Sequence, residues 1–442
     1  MKEIRFAMVM CFAVLGANRA MAVPNVVYVR CGKLIYDAEK APMTNAAVII
    51  TDGKITAVGT DLAVPNGATQ VDMSSYTVLP GLIDAHIHIW TGPRSASPSE
   101  GVEALRAQKA MSYALEAGIA AVRVLGTSDF LDVALRDAID EGTIPGPHMI
   151  PAGHAISIPA GHGDQFTFPA KIPLTDYYIP LNGFINSPDD AEKAVHLQLK
   201  YGAKVIKILA SGGVLSPLDS PDAEQVSPDE LKVIVQTAHM LRVKVAAHCE
   251  NLETILAAIN AGVDSIEHGP GINLEAANLM KARHTSYVPT VYIVDNILLH
   301  GEEMHMADYS LRKAREIGER EFASFKLALQ NGVFIAAGSD QGYEPGQGTV
   351  RDEVITMVKY GATPQQALIA ATKHSAELVG LDQSLGTVAV GKEGGLVGVE
   401  GDPLSDIHAM ERVRAVVYQG KSVAPANRSN QIAHALEAAP RN

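Results

Sequence analysis

Residues 80–90 read Pro80-Gly81-Leu82-Ile83-Asp84-Ala85-His86-Ile87-His88-Ile89-Trp90, placing two imidazoles one residue apart in an apolar run. On a strand, side chains alternate between faces, so positions i and i+2 share one face about 6–7 Å apart. His86 and His88 therefore point the same way, with Ile87 and Ile89 opposite. A surface-facing alternation is the plain reading, but the flanking residues suit a strand buried on both faces. Buried imidazoles need partners, and a metal ion could satisfy both.

Working outward, apolar β-branched runs alternate with segments of helical period. The runs are "VLPGLIDAHIHI", "IAAVRVLG", "HMIPAGHAIS", "KVIKILAS", "VKVAAHCE", "DSIEHG", "TSYVPTV" and "VFIAAGSD", with helices expected at 188–201, 227–241, 251–262 and 306–331. Eight strand–helix units over about 300 residues predict an α/β fold, a (β/α)8 TIM barrel spanning 80–380. A doubly wound sheet fits less well, because no Gly-rich phosphate fingerprint follows the first strand. Residues 23–79 and 381–424 instead read as short strands with turns, including an Asp52-Gly53 hairpin signal. They predict a small β-sandwich domain built from both chain ends, followed by a tail over 425–442.

The first 22 residues carry Lys2 and Arg5, a short apolar stretch from Phe6 to Gly16 and the small-residue pattern Ala20-Met21-Ala22. These mark a secretory signal peptide and a periplasmic or secreted product. Cys11 lacks the preceding residues that lipidation requires. No later segment approaches the roughly 18 continuous apolar residues of a membrane span. After cleavage, 33 basic residues face 48 acidic ones, which argues against nucleic acid and anionic membrane as partners. The two remaining cysteines, Cys31 and Cys249, are expected to be unpaired buried thiols.

Active sites of such barrels lie at the C-terminal ends of the strands. There the sequence places His86, His88, His248, His268 and Asp340, with Lys207 carried on the fourth strand. Any one of them could be a satisfied core residue. Together they form a set of polar groups that would be unpaired without a metal. Lys207 is the odd member, since an ammonium beside dications is repelled and costly to bury. Desolvation and positive neighbours favour its neutral amine, which can take up carbon dioxide to give an anionic carbamate able to bridge two metals. Lys204 lies on the opposite face by parity and nearer the strand's start, and reads as structural or solvated. Cys249 follows His248 directly and reads as core.

The segments "PGLIDAHIH" (80–88), "VIKILASGG" (205–213), "AAHCE" (246–250), "AGVDSIEHG" (261–269) and "AAGSDQG" (336–342) resemble the metal-dependent amidohydrolase superfamily. "ALRDAIDEGTIPGPHMIPAGHAIS" and "GHGD" (161–164) further resemble its branch of exported Xaa-Pro-type dipeptidases and ochratoxin-hydrolysing amidohydrolases. The resemblance implies two divalent metal ions, most simply Zn²⁺. His86, His88 and Asp340 would bind the first, and His248 and His268 the second. A Lys207 carboxylated by carbon dioxide would bridge them, and related chains often assemble as homo-oligomers. Amide bonds of dipeptides or N-acyl amino acids, ochratoxin-like amides included, would be cleaved by metal-bound hydroxide, with Asp340 moving the proton.

Substrate contacts are expected from His154 and His162, from Tyr292 and from the backbone at Gly212. Glu250 shares a strand face with His248 and could act as a deaminase-type acid. A deaminase or cyclic-amide hydrolase is the rival enzyme, disfavoured by Lys207; a non-catalytic scaffold is disfavoured by the full ligand set. His196 and His239 read as surface residues. Two departures from the family pattern stand out: "GSD" replaces "GTD" at 338–340, and Gly394-Gly395 replaces Ala-Asp, which questions the rigidity of the small domain.

Overall fold

The structure, a computed structural model, describes residues 24–89, 100–164, 177–343 and 347–425. The expected signal peptide (1–22) and all but the first residue of the expected tail lie outside them. Among the described residues no helix is long and apolar enough to cross a membrane.

The chain begins with β1 (Val26–Leu34), β2 (Met43–Thr51), β3 (Lys54–Gly59) and β4 (Thr69–Pro80). The β2–β3 hairpin turns at Asp52 and Gly53, both at positive φ (48° and 81°), as a tight two-residue turn demands. Next come β5 (Leu82–Ile87), β6 (Ile119–Val124), β7 (His148–Pro151), β8 (Val205–Leu209), β9 (Lys244–Cys249), β10 (Ser265–His268) and β11 (Ser286–Val288). The last strands are β12 (Leu396–Val399), β13 (Val413–Tyr418) and β14 (Lys421–Val423).

Both chain ends meet in one seven-stranded sheet of order β14-β13-β12-β4-β1-β2-β3. The expected sandwich is thus a single continuous sheet. The 12-residue β4 pairs in parallel with β1 and, over its last four residues, antiparallel with β12. The sheet curls until its far edge returns: Ile55 N–H donates to the Lys392 carbonyl at 2.8 Å. Val29, Cys31, Val48, Ile50, Ile55, Met73, Leu396 and Val417 fill the resulting core. Gly394 packs there without space to spare, because an added Cβ would stand 2.7 Å from Ile50 Cγ2. The glycine that replaces a larger residue is therefore a close-packed point of this domain, not a loose one.

Between these ends, β5-β6-β7 form one parallel sheet and β8-β9-β10-β11 another. Isolated parallel bridges join them: Ile156 to Ile208, Tyr287 to Ile335, and Ile87 to Gln341. The 335–341 segment thus runs between β11 and β5, with Ala85 N–H donating to the Ala337 carbonyl at 2.9 Å. Every residue of β5, β6 and β8 is buried, as expected of strands covered on both faces.

Helices fall where their period and caps predict. They include Pro188–Lys200, Pro228–Met240, Leu252–Ala261 and Asp308–Gln330. Ser227 caps the second with a reciprocal Glu230 contact, and Asn251 caps the third. Cys31 and Cys249 are buried and unpaired, and Lys204, His196 and His239 are exposed.

Candidate active site

The six candidate ligands meet at one end of the parallel strands, on a cavity of about 540 Å³ lined by His88, Lys207, His248, His268 and Asp340. His86 lies just beneath, fully buried. His86 Nε2 is 3.4 Å from His88 Nε2 and 3.4 Å from Asp340 Oδ1, and His88 Nε2 is 3.2 Å from the same oxygen. These three form one group able to hold a metal; His248, Glu250 and His268 form a second. The rings of His86 and His268 stand 5.0 Å apart and those of His248 and His268 4.6 Å, so the two groups adjoin.

Each imidazole is oriented by a partner on its other nitrogen, which selects the tautomer. His86 Nδ1 lies 2.9 Å from Glu267 Oε2, and His88 Nδ1 lies 3.2 Å from the Gly126 carbonyl. His268 Nδ1 lies 2.7 Å from the Thr290 hydroxyl, and His248 Nε2 donates to the Gly212 carbonyl at 3.0 Å. Gly212 therefore serves the site through His248. Burial pushes His86, His248 and His268 well below the usual histidine range, so all three are neutral and hold lone pairs free for a cation.

Lys207 Nζ is buried and has no hydrogen-bond partner among the described residues. Desolvation brings it down to about 8, against the opposing pull of Glu267 and Asp340. Burial acts upward on Asp340, but His86, a hydrogen bond from His88 and Lys207 outweigh it and hold the carboxyl below the usual range.

Backbone strain marks the strand ends. His268, Thr290 and Asp340 all sit at positive φ (67°, 48° and 53°), a region non-glycine residues rarely adopt and one concentrated at functional sites. At His268 the turn breaks strand parity, so Glu267 and His268 both reach His86. At Asp340 it is held by Asp340 N–H donating to the His86 carbonyl at 2.8 Å.

Sequence reasoning missed two supports. Asp84 shares the face of His86 and His88, a parity signal already present in the opening stretch. Its carboxylate accepts from the Ser339 N–H and hydroxyl and from Tyr343 OH at 2.8 Å, tying β5 to the Asp340 segment. Burial raises Asp84 to about 6 even so. The serine of "GSD" thus keeps the hydroxyl that this tie uses. The second support is buried Arg123, which donates to Glu267 Oε1 at 2.8 Å, to the Ser265 hydroxyl and to the Ala85 carbonyl. It joins three strands behind His86, and no local pattern announces it.

Of the expected substrate contacts, His162 and His154 line the cavity. His162 stacks on His248 at 4.4 Å, with Nδ1 2.7 Å from the Ser216 hydroxyl. His154 accepts from Asp129 N–H and packs on Phe130. Tyr292 is not among the lining residues; its ring lies against Gly348. Glu250 does line the cavity, 3.9 Å from His248 Nε2, with burial raising it to about 8.

The amidohydrolase family model matches residues 77–423. The chain belongs to the amidohydrolase family. It is 33% identical to ochratoxinase from Aspergillus niger over 408 residues, covering 88% of this chain and 84% of that protein. Among solved structures it resembles a Xaa-Pro dipeptidase with methionine bound in its active site: TM-score 0.82, 31% identity, covering 90% of this chain and 99% of the other. A prolidase complexed with N-methylphosphonate-L-proline gives TM-score 0.81 at 28% identity, covering 91% and 100%. This amidohydrolase is accordingly a hydrolase acting on amide or peptide carbon–nitrogen bonds, in an α/β fold with a second domain.

Proposed function

We propose that the protein is an exported, binuclear metal-dependent hydrolase of dipeptides or N-acyl amino acids, ochratoxin-like amides included. Its catalytic unit would be a closed eight-stranded barrel over 80–380, with the bridged 335–341 segment as eighth strand and residues 23–79 and 381–424 as the small domain. The observation that carries the reading is the Lys207 amine, buried beside neutral histidines and Asp340 and without a hydrogen-bond partner among the described residues. An amine left so is costly, and a lysine carbamate there would meet the ligand set. To form it, neutral Nζ adds to the carbon of carbon dioxide and releases one proton.

The donors present, imidazole nitrogen and carboxylate oxygen, suit Zn²⁺. His86, His88 and Asp340 would hold one cation, His248 and His268 the other, and carboxylated Lys207 would join them. When bound, the pair polarises a carbonyl and lowers the pKa of a water. Asp340, ionised and at the cavity wall, takes the proton from the attacking water and passes it to the leaving nitrogen. His162, held by Ser216 and stacked on His248, is placed to donate to the substrate carbonyl or carboxylate. Glu250 supports a narrower variant in which it, rather than Lys207, completes the second metal group.

Metal analysis and a dipeptide and N-acyl-amino-acid panel test the reading. Two equivalents of metal and turnover, both lost in Lys207→Ala, are expected. If Lys207→Ala keeps two metals and a normal rate, the bridge is refuted, and loss of a metal in Glu250→Ala instead would favour the variant.

A further inference from the structure

The cavity has two unlike walls. Toward β6 and β7 it is mixed, with Thr127, Ser128, His154 and Asn182 beside Leu125, Ala155 and Phe184. Beyond β8 and β11 it is mainly apolar, formed by Val214, Leu215, Ile293, Val294, Ile297 and Met306, with Ser216, Tyr309 and Ser310 beside them. The apolar wall stands close to the candidate metal ligands for a local reason. The helix Val291–His300 starts directly after Thr290, whose hydroxyl meets His268 Nδ1.

That wall is preformed. Val214, Val294 and Ile297 pack in one cluster with Ala314 and Ile317 of the helix Asp308–Gln330, and Ile293 and Met306 lie against it. From the same long helix, buried Lys313 donates to the carbonyls of Gly213 (2.9 Å) and Ser216 (2.6 Å) and to Asp219 (2.9 Å). It pins the turn carrying Val214 and Leu215, and its charge is spent there. Among the described lining residues Lys207 is the only lysine or arginine, whereas Asp164 and Asp340 contribute carboxylates.

A charged side chain pressed on this wall would lose water without gaining a partner. An acidic one would also enter a cavity whose lining carries Asp164 and Asp340. An aliphatic or aromatic side chain would bury its surface against a rigid surface already assembled.

We propose that the wall of Val214, Leu215, Ile293, Val294, Ile297 and Met306 is a subsite for a bulky apolar side chain flanking the scissile amide. This rests on the hydrolase reading above. The enzyme then selects leucine- or phenylalanine-like residues at one substrate position, while the other position faces the mixed wall.

The test uses zinc-loaded full-length protein and two matched dipeptide sets, Ala-X and X-Ala, with X as Phe, Leu, Ala, Asn, Asp or Lys. Direct binding of the free amino acids is measured by calorimetry, which requires no turnover. Expected is a preference of about 10- to 100-fold for Phe or Leu over Ala at one position, with Asp poorest. Val294→Thr, nearly isosteric, and Ile297→Thr should each reduce that ratio several-fold. Turnover with a flat profile, a preference for Asp or Lys, or an unchanged ratio in both variants overturns the subsite and leaves the hydrolase intact. Tight binding of apolar amino acids without hydrolysis of any peptide overturns the hydrolase reading and supports the subsite. Neither binding nor turnover overturns both.

Discussion

Replacing Lys207 with methionine should stabilise the metal-free protein and at the same time abolish its tight metal binding. Lys207 is buried among His86, His248 and His268, and its amine has no hydrogen-bond partner among the described residues. Desolvation lowers it from 10.5 to about 8. At about 1.4 kcal/mol per pH unit, that is a penalty on the order of 3 kcal/mol against the charged form. The sign follows from proton linkage. Below pH 8 the lysine is protonated in both states, and the folded protein bears the full penalty. Between about pH 8 and 10.5 the unfolded chain binds the extra proton, so stability rises with pH and the penalty fades. Chelator-treated Lys207→Met should therefore be more stable than the unaltered chain by up to about 3 kcal/mol at pH 7, and the difference should shrink towards pH 10. Methionine nearly matches the lysine stem in length, so packing changes little. Urea denaturation of both metal-free proteins at pH 7 and 9.5, followed by zinc titration, measures each half of the claim. Equal or lower stability of the variant at pH 7 would show that the amine has a partner, and would remove the basis for its carboxylation.

Asp340→Asn should keep the fold and lose at least about 10²-fold in kcat, as removal of a positioned proton carrier does; a rate within tenfold of the original would assign that role elsewhere. Glu267→Gln leaves His86 without its carboxylate, and zinc affinity measured against a chelator should fall about 10- to 100-fold; unchanged affinity would show that Arg123 and Glu267 serve only the strand packing. Gly394→Ala places a methyl 2.7 Å from Ile50 Cγ2 and should cost about 1–3 kcal/mol by overpacking. Its effect should appear in thermal unfolding with little change in metal content, and a variant as stable as the original would mean that the loop yields freely.

Much of this protein is legible in its residues. Helix limits follow from local chemistry, as at Ser227-Pro228 and Asn251, because caps and period act over a few residues. The positions of His86, His88, His248, His268 and Asp340 follow from apolar runs that stop at polar residues, whereas Lys207 interrupts the apolar run of β8 at its middle. Lys204 is exposed because it stands just before β8, not through its parity on the strand. Strand parity puts Asp84 on the face of the two histidines, a signal that was missed because its partners Ser339 and Tyr343 lie some 255 residues away in the chain.

What tertiary structure alone decided is proximity. Local pattern cannot say that Arg123 reaches Ala85, Ser265 and Glu267 together, or that Lys207 Nζ finds no partner among the described residues. Nor can it say that the left-handed turn at His268 brings Glu267 and His268 to the same imidazole. Those facts depend on how strands far apart in sequence come side by side, through hydrogen bonds that close only when the whole chain is folded. The chain dictates which donors exist and where each strand ends; their convergence is a property of the assembled sheet.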